Sequence, residues 1–180
     1  YSSEAAVSIR EKEDKTDYYE DILGTYLVNL STHQISEADS REAAKLLKII
    51  GDFERIADHA VNILESAEEL RDKGMRLTDA AIEELGVISA AEGHILDLAL
   101  SAFLENDLAA AAEVEPLEQV IDKLKEQLRT RHILRMQKGE CTIDAGFVWL
   151  DLLTDLERTA DHCSNIAGCV VDAAHDNMNL

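Results

Sequence analysis

A twelve-residue segment occurs twice in this chain. Asp52-Phe-Glu54-Arg55-Ile-Ala57-Asp58-His59-Ala-Val-Asn62-Ile63 returns 103 residues later as Asp155-Leu-Glu157-Arg158-Thr-Ala160-Asp161-His162-Cys-Ser-Asn165-Ile166, with eight of twelve positions identical. Self-similarity of this kind marks one structural unit used twice. Both copies lie in stretches rich in Ala, Leu and Glu, which are strong helix formers.

Apolar spacing predicts five helices. The first runs from about Ser3 to His33, with Tyr19, Ile22, Leu23, Tyr26, Leu27 and Leu30 on its apolar face. The second begins near Ser40 and ends near Gly74, burying Ile49, Phe53, Ile56, Ala60, Ile63 and Ala67. The third follows Thr78 as N-cap, carries Ile82, Leu85, Ile88, Ile95, Leu98 and Phe103, and stops at Asn106-Asp107. The fourth reaches about Lys138 with Gly139 as its stop, and either starts or kinks at Pro116. The fifth follows Thr142, runs to about His175, and turns Leu152, Leu156, Thr159, Cys163, Ile166 and Val170 inward.

One proline and eight glycines in 180 residues leave few breakers for a sheet-rich fold. The reading is therefore all-α: long helices packed as antiparallel bundles in a single helical domain over residues 1–180. Residues 76–180 form a three-helix repeat. Residues 1–75 form the same repeat with two helices, its leading helix expected upstream of Tyr1. The chain is accordingly read as cut from a longer one.

Within each copy, the acids fall at helical spacing. Glu54 and Asp58 are one turn apart on one side of a helix, as are Glu157 and Asp161. Glu13 and Asp17 in the first helix align with Glu118 and Asp122 in the fourth. Each repeat can thus bring four carboxylates together across a helix pair. Their repulsion would be relieved by a hard cation with oxygen ligands, so these eight acids are the expected metal ligands, one site per repeat. Asn62 and Asn165 continue the stripes and would contribute carbonyls or outer hydrogen bonds. Arg55 and Arg158 lie inside the motif, either as surface ion pairs or as groups that steady the acids without metal. His59 and His162 are read as facing a neighbouring helix. Cys163, Cys169 and Trp149 are read as packing residues.

The formal net charge of −20 argues against nucleic acid, anionic lipid and free phosphate as direct ligands. Three cysteines without a CxxC pair read as free thiols in a reducing compartment. No signal peptide is seen, and no apolar run approaches the roughly 20 residues that span a bilayer.

The two Glu-Arg-x-Ala-Asp-His segments resemble the repeated E(D)xxxD signature of the PhoU family of phosphate-uptake regulators. The run Glu11-Lys-Glu13-Asp14-Lys-Thr-Asp17-Tyr-Tyr resembles that family's preceding-helix motif, and with Tyr26-Leu-Val it is most similar to the PhoU-like domain of sodium/phosphate cotransporter-like proteins. Ala57 and Ala160 stand where the signature often has Gly. The resemblance implies two pseudo-symmetric three-helix bundles, multinuclear iron or other metal (zinc or magnesium class) at the paired carboxylates, and negative regulation of phosphate uptake. It also implies attachment to a membrane transporter segment of the same longer chain on the cytoplasmic side, with a homodimer possible. The alternatives are a free-standing PhoU-type regulator and a helical scaffold that binds no metal. A di-metal oxygen enzyme would need paired Glu-x-x-His motifs, and the nearest match is the single Asp172-x-x-His175. No enzymatic activity is expected.

Overall fold

The computed structural model describes residues 1–178, and among them it contains five helices and no strand: α1 (Ser3–Ser31), α2 (Glu37–Asp72), α3 (Asp79–Glu105), α4 (Leu108–Gln137) and α5 (Ile143–Met178). Local signals set most ends. Thr78 caps α3 by accepting from the Ala81 amide, and Asn106 closes it in the left-handed region at φ 54°. Gly74 and Gly139 take positive φ just past α2 and α4, where a Cβ would be strained. One start differs from expectation. α2 begins at Glu37 because Ser36 receives the Asp39 amide and caps it. α4 begins at Leu108 under Asp107, which rules out the alternative of a start at Pro116; the proline lies within the helix, in its third turn.

Helices α3, α4 and α5 pack on one another around a common core. Ile88, Ile95, Val114, Ile121, Leu128, Trp149, Leu153 and Cys163 fill it, all essentially inaccessible to water. α1 packs on α2, and α2 packs along α5 through Ile49, Ile166 and Cys169. The two copies of the motif, on α2 and α5, are therefore direct neighbours.

The inner face expected for α5 is buried throughout. That expected for α1 is not: Tyr19, Ile22, Leu23 and Tyr26 are exposed, and of the stripe only Leu27 is buried. Ala60 of α2 and Ile82 of α3 are exposed as well. For α1 the reason is architectural. In the second repeat α3 covers the groove between α4 and α5, whereas among the described residues no helix covers the corresponding side of α1 and α2. Leu128 on α4 is 2% exposed, while its counterpart Leu23 on α1 is 44% exposed. The sequence reading also understated α3, which by length and composition alone is apolar enough to cross a membrane. Here its inner stripe packs between α4 and α5.

Candidate carboxylate site

In the second repeat, the acids of α4 and α5 meet. Glu118 on α4 is near enough to Asp161 on α5 for that carboxylate to act on it. Partial burial pushes its carboxyl up from the ordinary range, and the nearby charges of Asp161, Asp122 and Glu157 push it further. The charges of three carboxylates from two helices thus bear on Glu118. In the first repeat, Glu13 on α1 is raised by burial, by Asp14 and Asp17 on its own helix, and by Asp58 across the pair. Glu54 is raised by burial and by Asp58 one turn along, whose carboxyl it also contacts, and it feels Glu20 of α1. Across α4 and α5 the charges of Glu157 and Asp161 thus bear on Glu118, and across α1 and α2 that of Asp58 bears on Glu13, while Asp17 and Asp122 are exposed.

Their immediate counter-charges come from the protein. Arg55 stands 3.5 Å from Glu54 and 3.3 Å from Asp58, and Arg158 stands 3.4 Å from Asp161. The symmetry of these pairs follows from the repeated sequence. The second repeat adds a cation that the sequence reading missed: Lys125 of α4 donates to Glu157 at 2.7 Å, with both side chains largely buried. Its counterpart on α1 is Glu20. The two repeats are thus alike in their acids and unlike in their internal compensation. The donor chemistry, all carboxylate oxygen, suits a hard cation. Among the described residues, however, no three His, Cys, Asp or Glu side chains converge tightly enough to hold a metal ion. Loading a site would require the facing acids to draw closer.

The remaining motif residues form a second symmetric arrangement between the repeats. His59 Nδ1 lies 2.8 Å from Asp155, and the Asn62 amide donates to the same oxygen at 3.1 Å. Reciprocally, His162 Nδ1 lies 2.8 Å from Asp52, which also accepts from Asn165 at 3.0 Å. The two imidazoles stack with centroids 5.6 Å apart. The amides of Asn62 and Asn165 are thus directed at the opposite repeat's aspartate and away from the paired acids of their own stripe. A sequence signal for this existed: Asp52, His59 and Asn62 are identical in both copies, and they fall seven and three residues apart, which is one helix face. The histidines face a neighbouring helix, as read. The cysteines on α5 pack: burial pushes the Cys163 thiol up to about 12 and raises Cys169.

Fold and site together define a class: a helical-bundle protein of two repeats, each facing carboxylates across one helix pair, with the repeats clasped through reciprocal His–Asp contacts. The PhoU domain model matches residues 1–67 and 88–170, and the chain belongs to that family. It is 27% identical over 126 residues to a protein of Thermotoga maritima named phosphate-specific transport system accessory protein PhoU homolog 1, covering 70% of this chain and 53% of that protein. A Burkholderia homolog of the same name class is 27% identical over 137 residues, covering 74% of this chain and 57% of that protein. The chain thus spans little more than half the length of these relatives. Among solved structures, PhoU from Pseudomonas aeruginosa shares the fold with a TM-score of 0.85 at 24% identity, covering 95% of this chain and 81% of that one. The regulatory protein PhoU from Streptococcus pneumoniae does so at 0.77 and 24%, covering 93% and 78%.

Proposed function

We propose that this chain is a PhoU-type regulator that restrains phosphate uptake, acting from the cytoplasmic side through contact with a membrane transporter and carrying out no reaction of its own. The supporting observation is the doubled acid signature on facing helices within a PhoU-domain chain. The relatives are named as accessory proteins of a phosphate-specific transport system. That favours an accessory regulator over a domain fused to a sodium/phosphate cotransporter.

The carboxylate pairs give this regulator a means of switching. A divalent or ferric cation would be held by Glu118, Asp122, Glu157 and Asp161 in one repeat and by Glu13, Asp17, Glu54 and Asp58 in the other. Bound there, the ion supplies positive charge that draws each helix pair together. Arg55, Arg158 and Lys125 hold the acids in its place when it is absent.

The test is phosphate uptake in a host lacking its own PhoU-type regulator. The intact protein should lower uptake under phosphate-replete conditions, and the double substitution Glu118→Gln/Asp161→Asn should release it. Uptake that the intact protein leaves unchanged would refute the regulatory reading. Metal analysis of the purified protein tests the ion separately.

A further inference from the structure

The end of the second repeat carries a surface that the carboxylate sites do not explain. Where α4 turns into α5, a cleft of about 340 Å³ opens between the two helices, walled by Ile133, Met136, Ile143, Phe147 and Leu150. Leu150 also borders an adjoining cleft of about 230 Å³, which Lys125 and Arg129 line. No acid lines either cleft, in a chain with 37 of them. Phe147 is 63% exposed and Ile143 is 68% exposed, so these side chains serve no core of this chain.

Repeat symmetry shows that the fold does not demand this surface. The first repeat has Ser40 and Ala44 where the second has Ile143 and Phe147, and Glu20 and Gly24 where it has Lys125 and Arg129. Both features, apolar and basic, occur in one repeat only. The cleft is also braced. Gly146 lets Met136 lie directly over α5, since a Cβ there would strike its sulfur. Beneath, Arg135 clamps Glu84 of α3 at 2.7 and 3.1 Å, and His132 stacks on Trp149 at 5.3 Å.

We propose that this groove docks an acidic amphipathic helix from a partner protein, seating its apolar side chains between Ile133, Met136 and Phe147 and its carboxylates against Arg129. From Lys125 to Gln137 the groove runs roughly 18 Å, the length of about three helical turns. Charge selects the class of partner. Arg129 is 54% exposed and only loosely held by Glu126 at 3.9 Å, so it is available to an incoming acid. Lys125 is held by Glu157 at 2.7 Å, so Arg129 is the cation open to a partner, and one segment laid in the groove can bring its carboxylates to it without pressing a broad anionic surface against a −20 molecule. This inference stands apart from the metal reading and is tested with chelator present.

The experiment is selection, on the intact protein in EDTA, from a displayed library of helical peptides. Two apolar positions one turn apart are fixed, and Glu, Lys or Gln is varied around them. Glu-rich binders should emerge, weaken as salt rises, and lose at least about tenfold in affinity on either Phe147→Ser or Arg129→Glu, both exposed positions. Binders that are Lys-rich, or insensitive to both substitutions, overturn the proposal. So does a concentration-dependent dimer, or co-sedimentation with anionic vesicles, that Phe147→Ser abolishes; the first would assign the groove to a second copy and the other to lipid.

Discussion

Glu92 sits on the inner stripe of α3, one turn from Ile88 and one from Ile95. Its side chain is 5% exposed, and neither carboxylate oxygen has a hydrogen-bond partner among the described residues. Burial alone pushes its carboxyl up to about 8, so the folded protein holds this acid protonated at neutral pH. The unfolded chain releases that proton near pH 4.5. The folded state therefore binds the extra proton between those values, and stability must fall as pH rises from about 4.5 to about 8. At about 1.4 kcal/mol per pH unit, the penalty at pH 7 is on the order of 3 kcal/mol. Glu92→Gln should remove this slope, with the difference from wild type read by urea unfolding at a series of pH values. Parallel curves for the two proteins would show that Glu92 is not the buried acid described. The position was legible in principle, since it falls on the apolar period of its helix. In a chain this acidic, the period alone did not separate one core acid from the many solvated ones.

At the scale of elements, α2 and α5 are held together by more than apolar contact. Asp52 is 6% exposed and receives both His162 and Asn165, while Asp155 receives His59 and Asn62. Asp52→Ala leaves two donors unpaired in a half-buried interface and should lower stability by roughly 1–3 kcal/mol. Asp155, the more exposed of the two, should lose less when changed in the same way. Losses below about 0.5 kcal/mol at both sites, the level of ordinary surface substitutions, would remove the clasp from the account. Sequence reasoning gave the element inventory well because caps and stops are local: Thr78, Gly74, Asn106 and Gly139 act where they stand. It left open whether Pro116 starts the helix or lies within it, because the missing N–H and ring clash of proline disfavour a helix interior by about 3 kcal/mol. Ala110, Ala111 and Val114, buried on the same helix, hold the strand of backbone around it helical. It misjudged the outer face of α1 for a related reason. An apolar period says which side of a helix seeks cover, and whether a neighbour supplies that cover is decided elsewhere in the chain.

For the molecule as a whole, charge is the quantity that couples site to stability. At −20 the compact state repels itself, and part of that repulsion falls on Glu118 from Asp161, Asp122 and Glu157. Lys125 and Arg158 offset part of it. Two contributions can be separated by experiment. Raising monovalent salt screens the general field and should raise Tm for wild type and site variants alike, since the Debye length shrinks to about 10 Å at 0.1 M. A divalent cation added at constant ionic strength acts only where oxygens can close on it. At ten times its dissociation constant it stabilises by about 1.4 kcal/mol, which for a chain of this size is a rise of about 3–6 °C. Glu118→Gln inverts the balance. In chelator it removes a raised carboxylate from a repulsive cluster and should leave Tm unchanged or higher; with the divalent ion it should forfeit the added rise. Scanning calorimetry of wild type and Glu118→Gln, each with chelator and with manganese or magnesium, reads both effects. If the ion raises Tm equally in the two proteins, the paired acids of α4 and α5 are a salt-bridged helix contact, and the family's acid signature serves packing in this chain.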